Sequence, residues 1–162
     1  TDVIIGGIVR EPVTIMKTAQ AIGYKAQFYG LGPTVDPRVG LLAGEAGEGF
    51  TAVYWAYHPD SDHPGPALYR ELCEKYNVPE KMRGLYHYYG FATAVVLVEG
   101  LRKAGKYPNR ERLIRGLESL KNWESGVFPP MTYNRKDHAG VESVILLQLR
   151  EGKQVAITDW LN

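Results

Sequence analysis

Short apolar runs alternate with a helical stripe in the first 57 residues. Residues 2–9, 26–30 and 50–55 are rich in β-branched and aromatic side chains, and they predict three buried strands. Between the first two runs, apolar side chains recur at helical spacing and predict a helix with one buried face: Ile15, Met16, Ala19 and Ile22. A shorter helix is expected at 36–43. This β-α-β-α-β order indicates a parallel, doubly wound sheet.

Proline and glycine mark the ends of these predicted elements. Pro12 stands at the start of the first helix, where its missing N–H has no helical partner, and Gly23 follows the end of that helix. The composition then changes at residues 58–66, which hold three prolines and little that can be buried. We interpret this segment as a connection between two lobes.

Helical patterns dominate the next part of the chain. Helices are expected at 66–76 and 86–104, and a third after Asn109, whose side chain can cap it. The run 95–98 alone would suit a strand, but nineteen residues without a turn signal favour a largely buried helix. Residues 123–140 are rich in turn formers, and two strands around Glu151-Gly152 predict a closing β-hairpin.

Charge and cysteine content narrow the range of partners. The 162 residues include 19 Lys and Arg against 18 Asp and Glu, and this near balance argues against a nucleic-acid groove or an anionic membrane surface as partner. We interpret the basic residues that do cluster as a solvated helix face: Arg110, Arg112, Arg115 and Lys121. The single cysteine, Cys73, excludes an intramolecular disulfide, and its spacing suits a core-facing position.

Several short strings occur in the order that one protein family shows. They are Val3-Ile4-Ile5-Gly6-Gly7, Leu42-Ala43-Gly44-Glu45-Ala46-Gly47-Glu48-Gly49, Tyr89-Gly90-Phe91-Ala92 and Met131-Thr132-Tyr133-Asn134. Together they resemble extracellular solute-binding proteins of the branched-chain amino-acid (leucine/isoleucine/valine-binding) type, which have the type I periplasmic binding fold. The resemblance covers nearly the whole chain, and it implies that the chain corresponds to the C-terminal half of such a protein.

The resemblance implies an α/β fold that contains parts of two doubly wound lobes joined by hinge crossings. Residues 1–57 would be part of the second lobe, and 58–65 a hinge connection. Residues 66–127 would form a helical segment of the first lobe. Residues 128–162 would contain a return crossing and the terminal strands.

The resemblance also implies a function in which no bond is made or broken. A small organic ligand, either an amino acid or an apolar or aromatic carboxylate, would be captured between two lobes and passed to an ABC permease. The expected location is periplasmic or extracellular, with or without a lipid anchor, and no cofactor, metal or catalytic residue is expected. The alternative is an extracytoplasmic ligand-sensing domain of a receptor or regulator. A third possible class of function is an enzyme. The sequence contains no phosphate-binding loop or nucleophile elbow that would support it.

Ligands of parallel α/β lobes bind beyond the carboxyl ends of the strands. The candidate ligand-binding residues at these ends are Ile8, Val9, Arg10, Gly32 and Thr34. Relatives that bind amino acids place an acidic residue in the loop after the second strand, but residues 31–34 hold no acid, which disfavours an α-amino acid. From the other lobe the resemblance points to two aromatic side chains, Tyr86 and Tyr88.

Two further expectations concern metals and association. His58 and His63 are not expected to bind a metal, because a proline-rich loop offers no scaffold that would bring their imidazoles together. Incomplete sheets expose strand edges and apolar helix faces. We therefore expect this chain to dimerise or to depend on the missing N-terminal half of the same protein.

Overall fold

The computed structural model describes residues 1–162 and has an α/β architecture. The strands are β1 (Asp2–Ile5), β2 (Gln27–Gly30), β3 (Thr51–Tyr54), β4 (Ile145–Arg150) and β5 (Lys153–Ala156). The α-helices are α1 (Arg10–Ala21), α2 (Pro37–Ala43), α3 (Pro64–Lys75), α4 (Leu85–Ala104) and α5 (Arg110–Glu118). Short 3₁₀ turns occupy Gly32–Val35, Gly44–Gly47 and Glu80–Met82.

The chain divides into two units. Unit 1 contains Thr1–Trp55 and Ser143–Asn162, and unit 2 contains Ala56–Glu142. All five strands lie in unit 1, so the closing hairpin belongs to the same sheet as the opening strands. Unit 2 contains α3, α4 and α5.

The sheet of unit 1 has the order β1-β2-β3-β4-β5. The first three strands are parallel, as the alternating pattern predicts, and β4 and β5 join antiparallel beside β3. Ile5 is paired with Gly30, and Gly30 with Ala52, so the carboxyl ends of β1, β2 and β3 lie at one edge. This edge is where a ligand site is expected in such a fold.

Helix α1 buries a different stripe from the predicted one. Its buried residues are Pro12, Met16 and Ala19, which lie at i, i+4 and i+7, whereas Ile15 is 40% exposed and Ile22 is 73% exposed. Ile22 is exposed because α1 ends at Ala21, so this side chain follows the helix instead of extending its face. The first strand is also shorter than predicted, since β1 ends at Ile5 before the glycine pair.

In unit 2 the long apolar run is helical. The run 95–98 lies within the 20 residues of α4. The length of this uninterrupted segment, and not the β-propensity of the four residues, therefore predicts its structure correctly. Helix α5 begins after Asn109, whose side chain accepts a hydrogen bond from the backbone N–H of Arg112 at 2.9 Å. A Cβ on Gly116 would lie 2.6 Å from the carbonyl oxygen of Gly100, so α4 and α5 can pack this closely only because residue 116 is glycine.

None of these helices is both long and apolar enough to cross a membrane. Cys73 is buried in α3, 2% exposed, as its spacing predicts.

Candidate functional site

The first element of the candidate site is the loop that joins β1 to α1. Ile8 is half-exposed, and its backbone N–H donates a hydrogen bond of 3.0 Å to the Glu11 carboxylate. This bond lowers the pKa of Glu11, and that carboxylate occupies the first turn of α1, where negative charge is favourable. Glu11 therefore fixes the loop, and Arg10 beside it is exposed.

Gly7 allows the loop to approach α1 closely. A Cβ on Gly7 would lie 2.7 Å from the Cβ of Glu11, whereas a Cβ on Gly6 would meet no heavy atom within 4 Å. The two glycines of the pair therefore have different roles. Gly7 permits close packing, and Gly6 leaves open space at the carboxyl edge of the sheet.

The second element is the turn after β2, which contains Gly32 and Thr34. Both residues are buried. The Thr34 hydroxyl donates a hydrogen bond of 2.6 Å to the carbonyl oxygen of Leu31, so it closes the 3₁₀ turn. A side chain on Gly30 would collide with Thr34, since a Cβ there would lie 2.1 Å from Oγ1. Thr34 thus helps to shape the loop, and its hydroxyl is already engaged.

The third element is Trp55, which directly follows β3 at the same edge. Its indole lies against Gly32: a Cβ built on Gly32 would be 1.8 Å from Cζ3 and 2.1 Å from Cη2 of Trp55. Only glycine at position 32 leaves room for the ring. The indole is partly exposed, so an apolar aromatic surface stands where two of the three parallel strands end.

The carboxylate that follows the turn after β2 is already paired. Asp36 is 1% exposed, caps α2 through the backbone N–H of Arg38, and forms a bidentate ion pair with the Arg38 guanidinium at 2.8 and 2.7 Å. Burial favours the protonated form, but the hydrogen bonds and charge of Arg38 outweigh it and hold the pKa of Asp36 below its usual range. The loop therefore offers an apolar surface without an uncommitted carboxylate.

Unit 2 contains an aromatic cluster at the start of α4. Tyr88 is fully buried against Tyr69 and Phe91, with ring centroids 5.1 and 6.1 Å away. Tyr86 is 43% exposed. The Tyr69 hydroxyl is 2.9 Å from Nδ1 of His87.

The Tyr88 hydroxyl is buried and has no hydrogen-bond partner in the protein. Burial raises the pKa of Tyr88, so the phenol stays protonated. An unsatisfied buried hydroxyl costs about 1–3 kcal/mol, and such groups in native proteins call for an explanation such as a functional role.

The histidines of the connecting loop are engaged within it. The His63 ring stacks on Tyr57 with centroids 3.6 Å apart, and His58 accepts a backbone hydrogen bond from Asp60 at 3.3 Å. Burial lowers the pKa of His58. No three His, Cys, Asp or Glu side chains gather in a group that could hold a metal ion.

Trp55 is the residue that sequence reasoning missed. The predicted third strand extended through residue 55, so Trp55 was assigned to the strand and not to the loop after it. The signal that could have found Trp55 is a large aromatic residue immediately after a buried parallel strand, together with a glycine after the neighbouring strand. Which of these residues contact a ligand stays a prediction.

Comparison with known proteins places this geometry in a family. A family model described as periplasmic binding protein matches residues 1–154. A comparison with curated proteins found no match.

Three solved structures illustrate the likeness in fold. A branched-chain amino acid ABC transporter protein from Thermus thermophilus, with bound valine, is 24% identical with a TM-score of 0.88, and the match covers 98% of this chain and 45% of that one. A possible leucine/isoleucine/valine-binding protein from Rhodopirellula baltica is 20% identical with a TM-score of 0.85, covering 97% and 42%. A fatty acid ABC transporter substrate-binding protein from Thermomonospora curvata is 22% identical with a TM-score of 0.74, covering 98% and 42%.

At these identities the structural likeness establishes the fold. The chain spans less than half the length of these relatives.

Proposed function

Because the chain belongs to the periplasmic binding protein family, we propose that it is the C-terminal part of the solute-binding component of an ABC-type importer. The whole protein captures a small organic ligand between two lobes and passes it unchanged to a membrane permease. Closure around the ligand shifts the population toward a form that the permease recognises. The names of two of the similar solved structures, those from Thermus thermophilus and Thermomonospora curvata, mention ABC transporters and so support transport.

The proposal places the protein in the periplasm or on the outer side of the cell membrane, where a lipid anchor would keep it near the permease. The remaining half of the two lobes is supplied by a segment outside this chain. In this proposal residues 1–57 and 66–127 are parts of different lobes, residues 58–65 are a hinge connection, and residues 128–162 contain the return crossing and the terminal strands.

The packing of Trp55 on Gly32 carries the proposal for the ligand class. An indole at the carboxyl edge offers a flat apolar surface, Asp36 is paired with Arg38, and the Glu11 carboxylate accepts a hydrogen bond from the backbone N–H of Ile8. Both carboxylates near this edge already have partners in the protein, which disfavours the ammonium of an α-amino acid there. The ligand is therefore an apolar or aromatic carboxylate.

The other contacts follow from the same edge. Ile8 and Val9 supply apolar surface. Arg10, which follows Val9 in the chain, is the cation that could bind the carboxylate of the ligand. From the other lobe, Tyr86 supplies a ring, and the Tyr88 hydroxyl supplies the hydrogen bond that it lacks within the protein. None of these groups is a nucleophile or an acid–base pair, so binding is the whole of the proposed activity.

Calorimetry of the intact protein with benzoate, phenylacetate, valine and leucine tests the ligand class. We expect one saturable site for an aromatic or apolar carboxylate and weaker binding of the amino acids. Trp55→Ala should weaken binding of the preferred ligand by about tenfold or more, since burying a large apolar side chain contributes about 1.5–3 kcal/mol, while Trp55→Phe should keep most of the affinity. Tighter binding of valine than of every carboxylate would contradict the assignment.

The exposed edge of β1 is a surface that another segment of protein could cover. β1 is the first strand of the sheet, and Ile4 on it is 77% exposed. We propose that the missing half covers this edge in the whole protein, and that the isolated chain covers it by dimerising. Light scattering after size exclusion would refute the second part if the isolated chain stays monomeric as its concentration rises.

A further inference from the structure

Positive charge is concentrated in one segment of unit 2. Seven of the 19 Lys and Arg residues, but only two of the 18 Asp and Glu residues, lie between Leu101 and Lys121. This segment therefore carries a net charge of +5, and the rest of the chain carries −4. Although the net charge of the whole chain is close to zero, the end of α4 and α5 form a basic region.

A cavity of about 290 Å³ opens on this region. The lining includes three cationic side chains and no acidic one. The lining residues are Lys103, Ala104, Arg112, Arg115, Gly116 and Ser119. The two acids of the segment do little to neutralise it. Glu118 faces His138 at 3.1 Å, and Glu111 lies 4.0 Å from Arg115 in an exposed helical pair of the kind that contributes little.

Helix stability does not explain Arg110 and Arg112, although Arg115 lies in the last turn of α5, where a cation is favourable. Arg110 and Arg112 occupy the first turn, where the positive end of the helix dipole disfavours cations. Arg112 and Arg115 stand three residues apart on neighbouring positions of the helix surface, where like charges repel. An anion held in the cavity would relieve both effects.

We propose that this cavity binds a phosphate group, either as free phosphate or as the headgroup of an anionic lipid. Arginine forks match phosphate oxygens in bidentate geometry, and Lys103 adds a compact charge. Its volume of about 290 Å³ is near the lower limit of about 300 Å³ for ligand pockets, which suits a small anionic group. No lining residue belongs to the proposed solute site, so the two sites are separate in composition.

The test uses the intact protein at low ionic strength. Calorimetry with sodium phosphate and sedimentation with phosphatidylglycerol or phosphatidylcholine vesicles compare two double variants. Arg112→Gln/Arg115→Gln removes two cations from the cavity, whereas Lys81→Gln/Lys136→Gln removes two exposed cations elsewhere in unit 2. We expect about tenfold or greater weakening in the cavity variant and less than about twofold in the control.

Each outcome decides the proposal. Phosphate binding without vesicle binding supports a free phosphate as ligand, and binding of phosphatidylglycerol but not phosphatidylcholine vesicles supports a headgroup. Equal weakening in both double variants, or no binding of either probe, overturns it. If circular dichroism shows that the arginine variant is unfolded, Lys103→Gln replaces it and should weaken binding in the same direction, with unchanged affinity as the refuting result.

Discussion

The contact between Gly32 and Trp55 makes a quantitative prediction for Gly32→Ala. The new Cβ would lie 1.8 Å from the indole, whereas ordinary contacts begin at 3.4 Å, so the ring or the turn must move by about 1.6 Å. Overpacking of this kind costs about 1–3 kcal/mol. The φ angle of Gly32 lies outside the left-handed region, so the backbone accepts alanine and the whole cost comes from Trp55.

A double-mutant cycle measures that cost. In a chain of this size, a loss of about 2 kcal/mol lowers the melting temperature by roughly 4–8 °C, which circular dichroism detects easily. With Trp55→Ala in the background, Gly32→Ala should become nearly neutral, giving a coupling energy of about 1–3 kcal/mol. Gly6→Ala is the matched control, because its Cβ meets nothing within 4 Å. Equal destabilisation by Gly32→Ala with and without the indole would show that the cost does not come from the contact with Trp55.

Three further predictions concern single residues. Because Arg38 holds the pKa of Asp36 below its usual range, this carboxylate stabilises the fold above about pH 4, and that stability is lost as the pH falls through the folded pKa. Asp36→Asn should lower stability at neutral pH and flatten its acid dependence in urea titrations; an unchanged dependence would contradict the ion pair. Tyr88→Phe should leave the melting temperature equal or higher, because it removes an unsatisfied hydroxyl, yet weaken solute binding; lost stability would show that the hydroxyl is satisfied. Gly116→Ala should destabilise by about 1–3 kcal/mol by separating α4 from α5, whereas Gly90→Ala, with open space around it, should not; equal effects in thermal melts would oppose the close packing.

The elements that sequence predicted best are those whose length or order leaves no alternative. The parallel arrangement of β1, β2 and β3 followed from alternation with helices, and the helical state of 95–98 followed from its length. The cap at Asn109 was also predicted, because a capping side chain acts on its own helix. In each of these cases the order of the elements, the length of a segment or a side chain next to the helix determined the structure.

Features that depend on distant residues were harder to predict. The buried stripe of α1 runs through Pro12 and not Ile22, because the end of the helix fixes which side chains share a face. The role of Gly32 depends on Trp55, which is 23 positions away in the chain, and no local pattern joins them. The basic cavity likewise appears only when α4 and α5 are packed together, although its charges are visible in the sequence.

Capture of a solute without chemical change is tested most directly by incubating the intact protein with a panel of apolar and aromatic carboxylates. Calorimetry measures the binding, and mass spectrometry identifies the recovered ligand. We expect one-to-one, saturable binding of at least one of these solutes, which is recovered chemically unchanged. Binding of none of them, or recovery of a converted product, would contradict it.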